Sequence, residues 1–201
     1  MKISYHYKPA DVACEYCVNS RRRRCRIAGC PWLAGRIEAG VVSYASAVRE
    51  LFGGVADEAF IKRLGSLMLH FRGSFWLSAE HEFNTRLLLR SVGYQAWRNP
   101  RFFASLYLFG SNRGLLKRAW NACMPGGFEP VFIVMRGVSE HDYTLIQAAK
   151  ALMCGGLGLT LYDLADREVV DDKAFTLIIN ALLIANYGPD VLKLGGTEIT
   201  Y

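Results

Sequence analysis

Four of the chain's six cysteines crowd into a short N-terminal stretch, Cys14, Cys17, Cys25 and Cys30, in the pattern C-x2-C-x7-C-x4-C. Thiolate is a soft ligand, and four of them enclose Zn²⁺ tetrahedrally with no open position. The x2 spacing lets Cys14 and Cys17 turn around one ion. The longer segments bring Cys25 and Cys30 to its other side. A [4Fe–4S] cluster also takes four thiolates, and Cys30-Pro31 matches the Cys-Pro step of bacterial ferredoxins, although the other spacings differ. Zn²⁺, an iron–sulfur cluster and four buried thiols without metal are therefore the readings of this quartet. The first residues lack the apolar core of a secretory signal, so a reducing, cytoplasmic setting is expected and disulfides are not. Cys123 and Cys154 stand apart and read as buried, inert thiols.

The charge points to the same segment. The formal net charge is +6. Lys2, Lys8, Arg21, Arg22, Arg23, Arg24 and Arg26 face only Asp11 and Glu15 in the first thirty residues, so nearly all the excess lies there. Four thiolates on Zn²⁺ carry a net charge of about −2, and the arginines can simply offset it. They can equally meet phosphate, with Tyr16 and Trp32 as stacking surfaces. In this respect the segment resembles the zinc knuckles of retroviral nucleocapsids, spaced C-x2-C-x4-H-x4-C, which bind single-stranded nucleic acid. Here the middle loop is longer, and Cys25 stands in place of the histidine. The resemblance implies a mode of binding through Tyr16, Arg21, Arg22, Arg23, Arg24, Arg26 and Trp32.

The remainder reads as helix. The chain has 201 residues, 52% of them hydrophobic and 21% charged, a composition that folds and buries roughly 70% of its unfolded surface. No apolar run approaches the roughly 20 residues of a membrane span. Residues 32–40 can form a short helix stopped by Gly40. Ser43, Asp57, Ser78, Asn99, Ser139, Thr160 and Asp171 are each placed to cap a helix. The expected inward stripes are Phe60, Ile61, Leu64, Leu67, Met68 and Phe71 in the second of these helices, then Phe83, Leu87 and Leu88 in the third. The run 102–109 is apolar on nearly all sides, which places its helix at the centre. Another helix spans 112–123. Val131–Met135 has strand composition, and residues 3–7 alternate as a short strand can. The expected architecture is mainly α: a four-cysteine metal-binding basic module over residues 1–40, then a multi-helix globular body over 41–201, with one or two short strands.

Phe75-Trp76-Leu77-Ser78-Ala79-Glu80-His81, followed by the helices over 101–108, 143–153 and 171–187, is similar to small helical proteins of unknown function. These occur in Gram-positive bacteria, phages and mobile elements. The resemblance implies a helical fold and a mobile-element setting, with the cysteine module as an N-terminal extension.

No zinc-protease, nucleophile-elbow or phosphate-loop motif is present. His81 reads either as a residue holding the Phe75–Trp76 loop or as the centre of an uncharacterised enzyme site. Asp163, Asp166, Glu168, Asp171 and Asp172 read as helix-end acids. Three functions follow as expectations. The first is a non-enzymatic zinc-binding protein of a phage or mobile element whose basic module contacts nucleic acid. The second is a protein-binding regulator or inhibitor of a host factor with a purely structural zinc site. The third is an enzyme with its site near His81.

Overall fold

The computed structural model describes residues 9–14, 17, 20, 21, 24, 25, 32–93, 98–124, 127–155 and 158–195. A 3₁₀ turn, Pro9–Val12, opens this part of the chain, and a two-residue hairpin follows, β1 (Ser20–Arg21) with β2 (Arg24–Cys25). The described helices are α1 (Leu33–Glu38), α2 (Tyr44–Phe52), α3 (Glu58–Leu69), α4 (Ala79–Val92), α5 (Pro100–Gly110), α6 (Arg113–Ala122), α7 (Glu140–Cys154), α8 (Leu161–Ala165) and α9 (Asp172–Tyr187). A second hairpin, β3 (Cys123–Met124) with β4 (Gly127–Phe128), interrupts them after α6. The fold is mainly helical.

Helix starts follow local chemistry. The first backbone N–H groups of a helix lack intrahelical acceptors, and a short polar side chain at the N-cap supplies one. Ser43, Asp57, Ser78, Asn99, Asn112, Ser139, Thr160 and Asp171 each accept such a bond at the head of α2 through α9. Thr160 and Asp163 close a reciprocal capping box that lets α8 exist at only five residues. Gly155, at φ +71°, ends α7 in the left-handed region that favours glycine.

The core forms around α5. Phe103 through Gly110 are all buried, and α4, α7 and α9 surround the helix. Burial on all sides removes water from every polar group on α5, so each must find a partner inside the protein. Ser105 Oγ donates to the Ala149 carbonyl of α7 at 2.9 Å. Tyr107 Oη donates to the Phe75 carbonyl at 2.5 Å and accepts from Asn180 Nδ2 of α9 at 3.3 Å. Tyr44 of α2 completes the chain by donating to Asn180 Oδ1 at 2.7 Å. One buried hydrogen-bonded path thus joins α2, α5, α9 and the loop before α4.

A second polar anchor lies in α3. Arg63 is 5% exposed. Its guanidinium donates to the carbonyls of Leu164, Asp166 and Val170 and to the Asp172 carboxylate, and lies 4.2 Å from the centre of the Phe175 ring. One side chain therefore fixes the connection from α8 to α9.

Several expectations are corrected. Ile61 and Phe83 are 48% and 64% exposed. The buried faces of α3 and α4 carry Phe60, Leu64 and Leu88 as expected, together with Arg63, His81, Asn84 and Thr85. Val131–Met135 is not a strand: Pro130–Phe132 is a 3₁₀ turn, and only Ile133 in the segment is buried. Among the described residues no strand offers it an edge, and Arg118 of α6 donates to the Val134 carbonyl and, just beyond the segment, to those of Arg136 and Gly137. Cys154, expected to be buried, is exposed, and Cys123 is half-buried beside Ser91. The 3–7 strand lies outside the described residues. Leu33 and Ile37 of α1 join the same buried cluster as the body helices, so packing continues across residue 40.

Helices α4 and α5 approach closely where Gly110 meets Thr85. A Cβ at position 110 would fall 2.8 Å from the Thr85 backbone nitrogen and 2.2 Å from its Oγ1. Gly110→Ala is expected to destabilise the protein by about 3 kcal/mol. Gly65→Ala, where an added Cβ meets nothing within 4 Å, should instead stabilise α3 by up to about 1 kcal/mol. Urea unfolding of both variants checks the pair.

Candidate functional site

The cysteine segment begins with a turn. Cys17 N–H donates to the Cys14 carbonyl at 3.2 Å, the tight reversal expected of an x2 spacing. The Cys14 thiol is exposed and Cys17 is half-buried. Three residues beyond Cys17 the chain enters β1. The hairpin pairs Ser20 with Cys25 and Arg21 with Arg24, so the backbone at Cys25 lies beside the segment leaving Cys17. The backbones of Arg21 and Arg24 face each other across the pair. Tyr16, Arg22, Arg23, Arg26 and Cys30 lie outside the described residues, so the four-sulfur set is not assembled from described atoms. Trp32 is 52% exposed at the entrance to α1. Among the described residues no group of three or more His, Cys, Asp or Glu is arranged to hold a metal.

The second sequence candidate, His81, sits in the first turn of α4 at 1% exposure. Its two nitrogens are both engaged. Leu77 N–H donates to Nδ1 at 3.2 Å, and Nε2 lies 2.8 Å from the Tyr107 carbonyl. Only the neutral Nε2–H tautomer satisfies both contacts. At the end of α5 the Ser111 N–H turns to the Leu108 carbonyl. His81 Nε2–H therefore supplies the donor for the Tyr107 carbonyl, and Asn84 Nδ2 donates to the Gly110 carbonyl at 3.2 Å. One face of α4 finishes the C-terminus of α5. The His81 ring also meets Trp76 edge-on, with centroids 5.2 Å apart, which fixes the Phe75–Trp76 loop. With no lone pair or proton left to offer and no solvent at the ring, this geometry suits a structural residue and not a general base.

Four of the five acidic residues between positions 163 and 172 have side-chain partners. Asp163 belongs to the Thr160 box, Asp166 accepts from the Glu168 N–H, and Asp172 pairs with Arg63. Asp171 caps α9 and contacts His141 Nδ1 at 2.5 Å. Burial works against its charge, but hydrogen bonds from Ala174, His141 and Lys173 outweigh this and hold the carboxyl below its usual value.

Sequence reading did not single out Arg63, Arg72 and Arg167, which line one cavity together with Trp76. Arg167 lies far along the chain from the other three, so no local pattern marks the set. No family model matches the chain, and neither a curated protein nor a solved structure shows significant similarity to it. No described helix is long and apolar enough to cross a membrane.

Burial pushes His81 down to about 4, against an ordinary value of 6.5, despite the bond to Tyr107. Between those values the unfolded chain binds a proton that the folded protein refuses. Stability contributed by neutral His81 is thus complete above about pH 6.5 and is lost as pH falls towards 4, by about 3 kcal/mol in all. Unfolding free energies measured from pH 7 to pH 4.5 should fall accordingly. The slope should be shallower in His81→Gln, which has no proton to gain.

Proposed function

We propose that the chain is a non-enzymatic zinc-binding protein whose N-terminal module contacts nucleic acid. The observation that carries this reading is the register of the first hairpin, which sets Arg21 opposite Arg24. That register puts the arginine run Arg21, Arg22, Arg23 and Arg24 at one hairpin, and a basic cluster of this kind meets phosphate. The hairpin follows the Cys14–Cys17 turn and returns the chain to Cys25. That order of turn and hairpin suits four thiolates gathered on one Zn²⁺, with Cys30 as the fourth. An iron–sulfur cluster on the same thiolates is the alternative cofactor. A phage or mobile-element setting belongs to the same proposal.

One observation favours a protein partner, such as a host factor. Val131, Phe132 and Val134 are 80%, 49% and 53% exposed in a single segment, and clustered exposed apolar side chains mark interaction surfaces.

Titration with a single-stranded oligonucleotide separates the two readings. Each phosphate contact adds about 0.7 to the salt slope on single strands. Replacing Arg21, Arg22, Arg23 and Arg24 by alanine should weaken binding at low salt and flatten its salt dependence by about 3. Absence of binding by the unaltered protein at about 50 mM salt, where such contacts are strongest, would exclude the nucleic-acid reading and direct attention to the 131–134 surface.

A further inference from the structure

A cavity of about 530 Å³ lies between the C-terminal half of α3, the loop 71–77 and the first turns of α9. That volume is within the range of small-molecule sites. Two half-buried aromatic side chains, Phe71 and Trp76, line it. Phe71 is preset by a parallel stack on Tyr44, with ring centres 3.8 Å apart, and Trp76 by its edge contact with His81. The cavity is cationic as well. Arg63, Arg72 and Arg167 line it against the single carboxylate of Asp172. That carboxylate is already shared by Arg63 at 3.0 Å and Arg167 at 3.5 Å, while exposed Arg72 has no ion-pair partner among the described residues. Ser66, His70, Ser74 and Thr176 add hydrogen-bonding groups.

A preset aromatic surface and three arginines set against one carboxylate together match one ligand chemistry: a planar base carrying a phosphate.

We propose that this cavity binds a phosphorylated nucleoside. Arg72 and Arg167 take the phosphate, and Phe71 and Trp76 take the base. The site lies on the helical body and does not rest on the cysteine module. The same chemistry is offered by a free mononucleotide and by one nucleotide of a single strand.

The test is calorimetric titration of the full chain with AMP. One site with a Kd tighter than about 1 mM is expected. Reversing both exposed arginines, R72E with R167E, should weaken AMP by at least about tenfold while circular dichroism stays unchanged. Trp76→Leu should weaken AMP with the arginines intact. Inorganic phosphate should compete only at least about tenfold more weakly than AMP. No binding of AMP at about 5 mM, equal affinity in the arginine double variant, or phosphate binding as tightly as AMP would each overturn the assignment. The variant lacking Arg21, Arg22, Arg23 and Arg24 should retain AMP binding, and loss of it would move the site to the module and likewise overturn the proposal. In that variant, competition between AMP and a five-residue thymidine oligonucleotide identifies a strand as the source. Absence of competition identifies the free mononucleotide.

Discussion

The hydrogen bond from His81 to the Tyr107 carbonyl, 2.8 Å long and sealed from water, is the contact on which the body is organised. It exists because α5 is buried on every side. A helix end normally discharges its free carbonyls into solvent, and α5 cannot. Its last turn is finished by side chains of α4, which fixes the distance and rotation of α4 against α5. Gly110 permits the approach, since a larger residue would meet the Thr85 backbone. The hydroxyl of the same Tyr107 then binds the Phe75 carbonyl and Asn180. The polar interior thereby specifies which surfaces meet, while apolar burial supplies the driving force.

Helix existence and helix starts were legible because they depend on neighbours in sequence. Asp57, Asn99 and Asp171 each satisfy donors two or three residues on. The central position of α5 was legible from an apolar run with no polar face. The inward faces of α3 and α4 were legible in the main, since Phe60, Leu64 and Leu88 are buried as their spacing predicts; what could not be read was the polar residues that share those faces. A hydrophobic pattern also selects Ile61 and Phe83, which are exposed, while Arg63, His81 and Asn84 are buried. Their burial is favourable only because partners more than twenty residues away complete their bonds. Long-range pairing of this kind leaves no local period. The 131–135 segment failed for a related reason: strand propensity needs a partner edge, and among the described residues no strand pairs with it.

The candidate sites differ in the same way. The cysteine pattern and the arginine run are contiguous and visible at once, and the turn at Cys14–Cys17 follows from the x2 spacing. The cavity on the body gathers Arg63, Arg72, Trp76 and Arg167 from two separate stretches of chain and has no sequence signature. The two parts also differ in what can hold them together. The body has an extensive apolar core of its own, and Leu33 and Ile37 belong to it. The segment before them has few large apolar residues, and in the proposed reading its stability comes from a bound ion.

That division of stability is tested most directly by amide hydrogen exchange on the metal-loaded protein before and after chelation. Loss of protection confined to residues before about Leu33, with α4, α5, α7 and α9 unchanged, is the result expected of an ion-held module on an independently folded body. Loss of protection throughout the chain, or none at all in a protein shown to have released its metal, would contradict it.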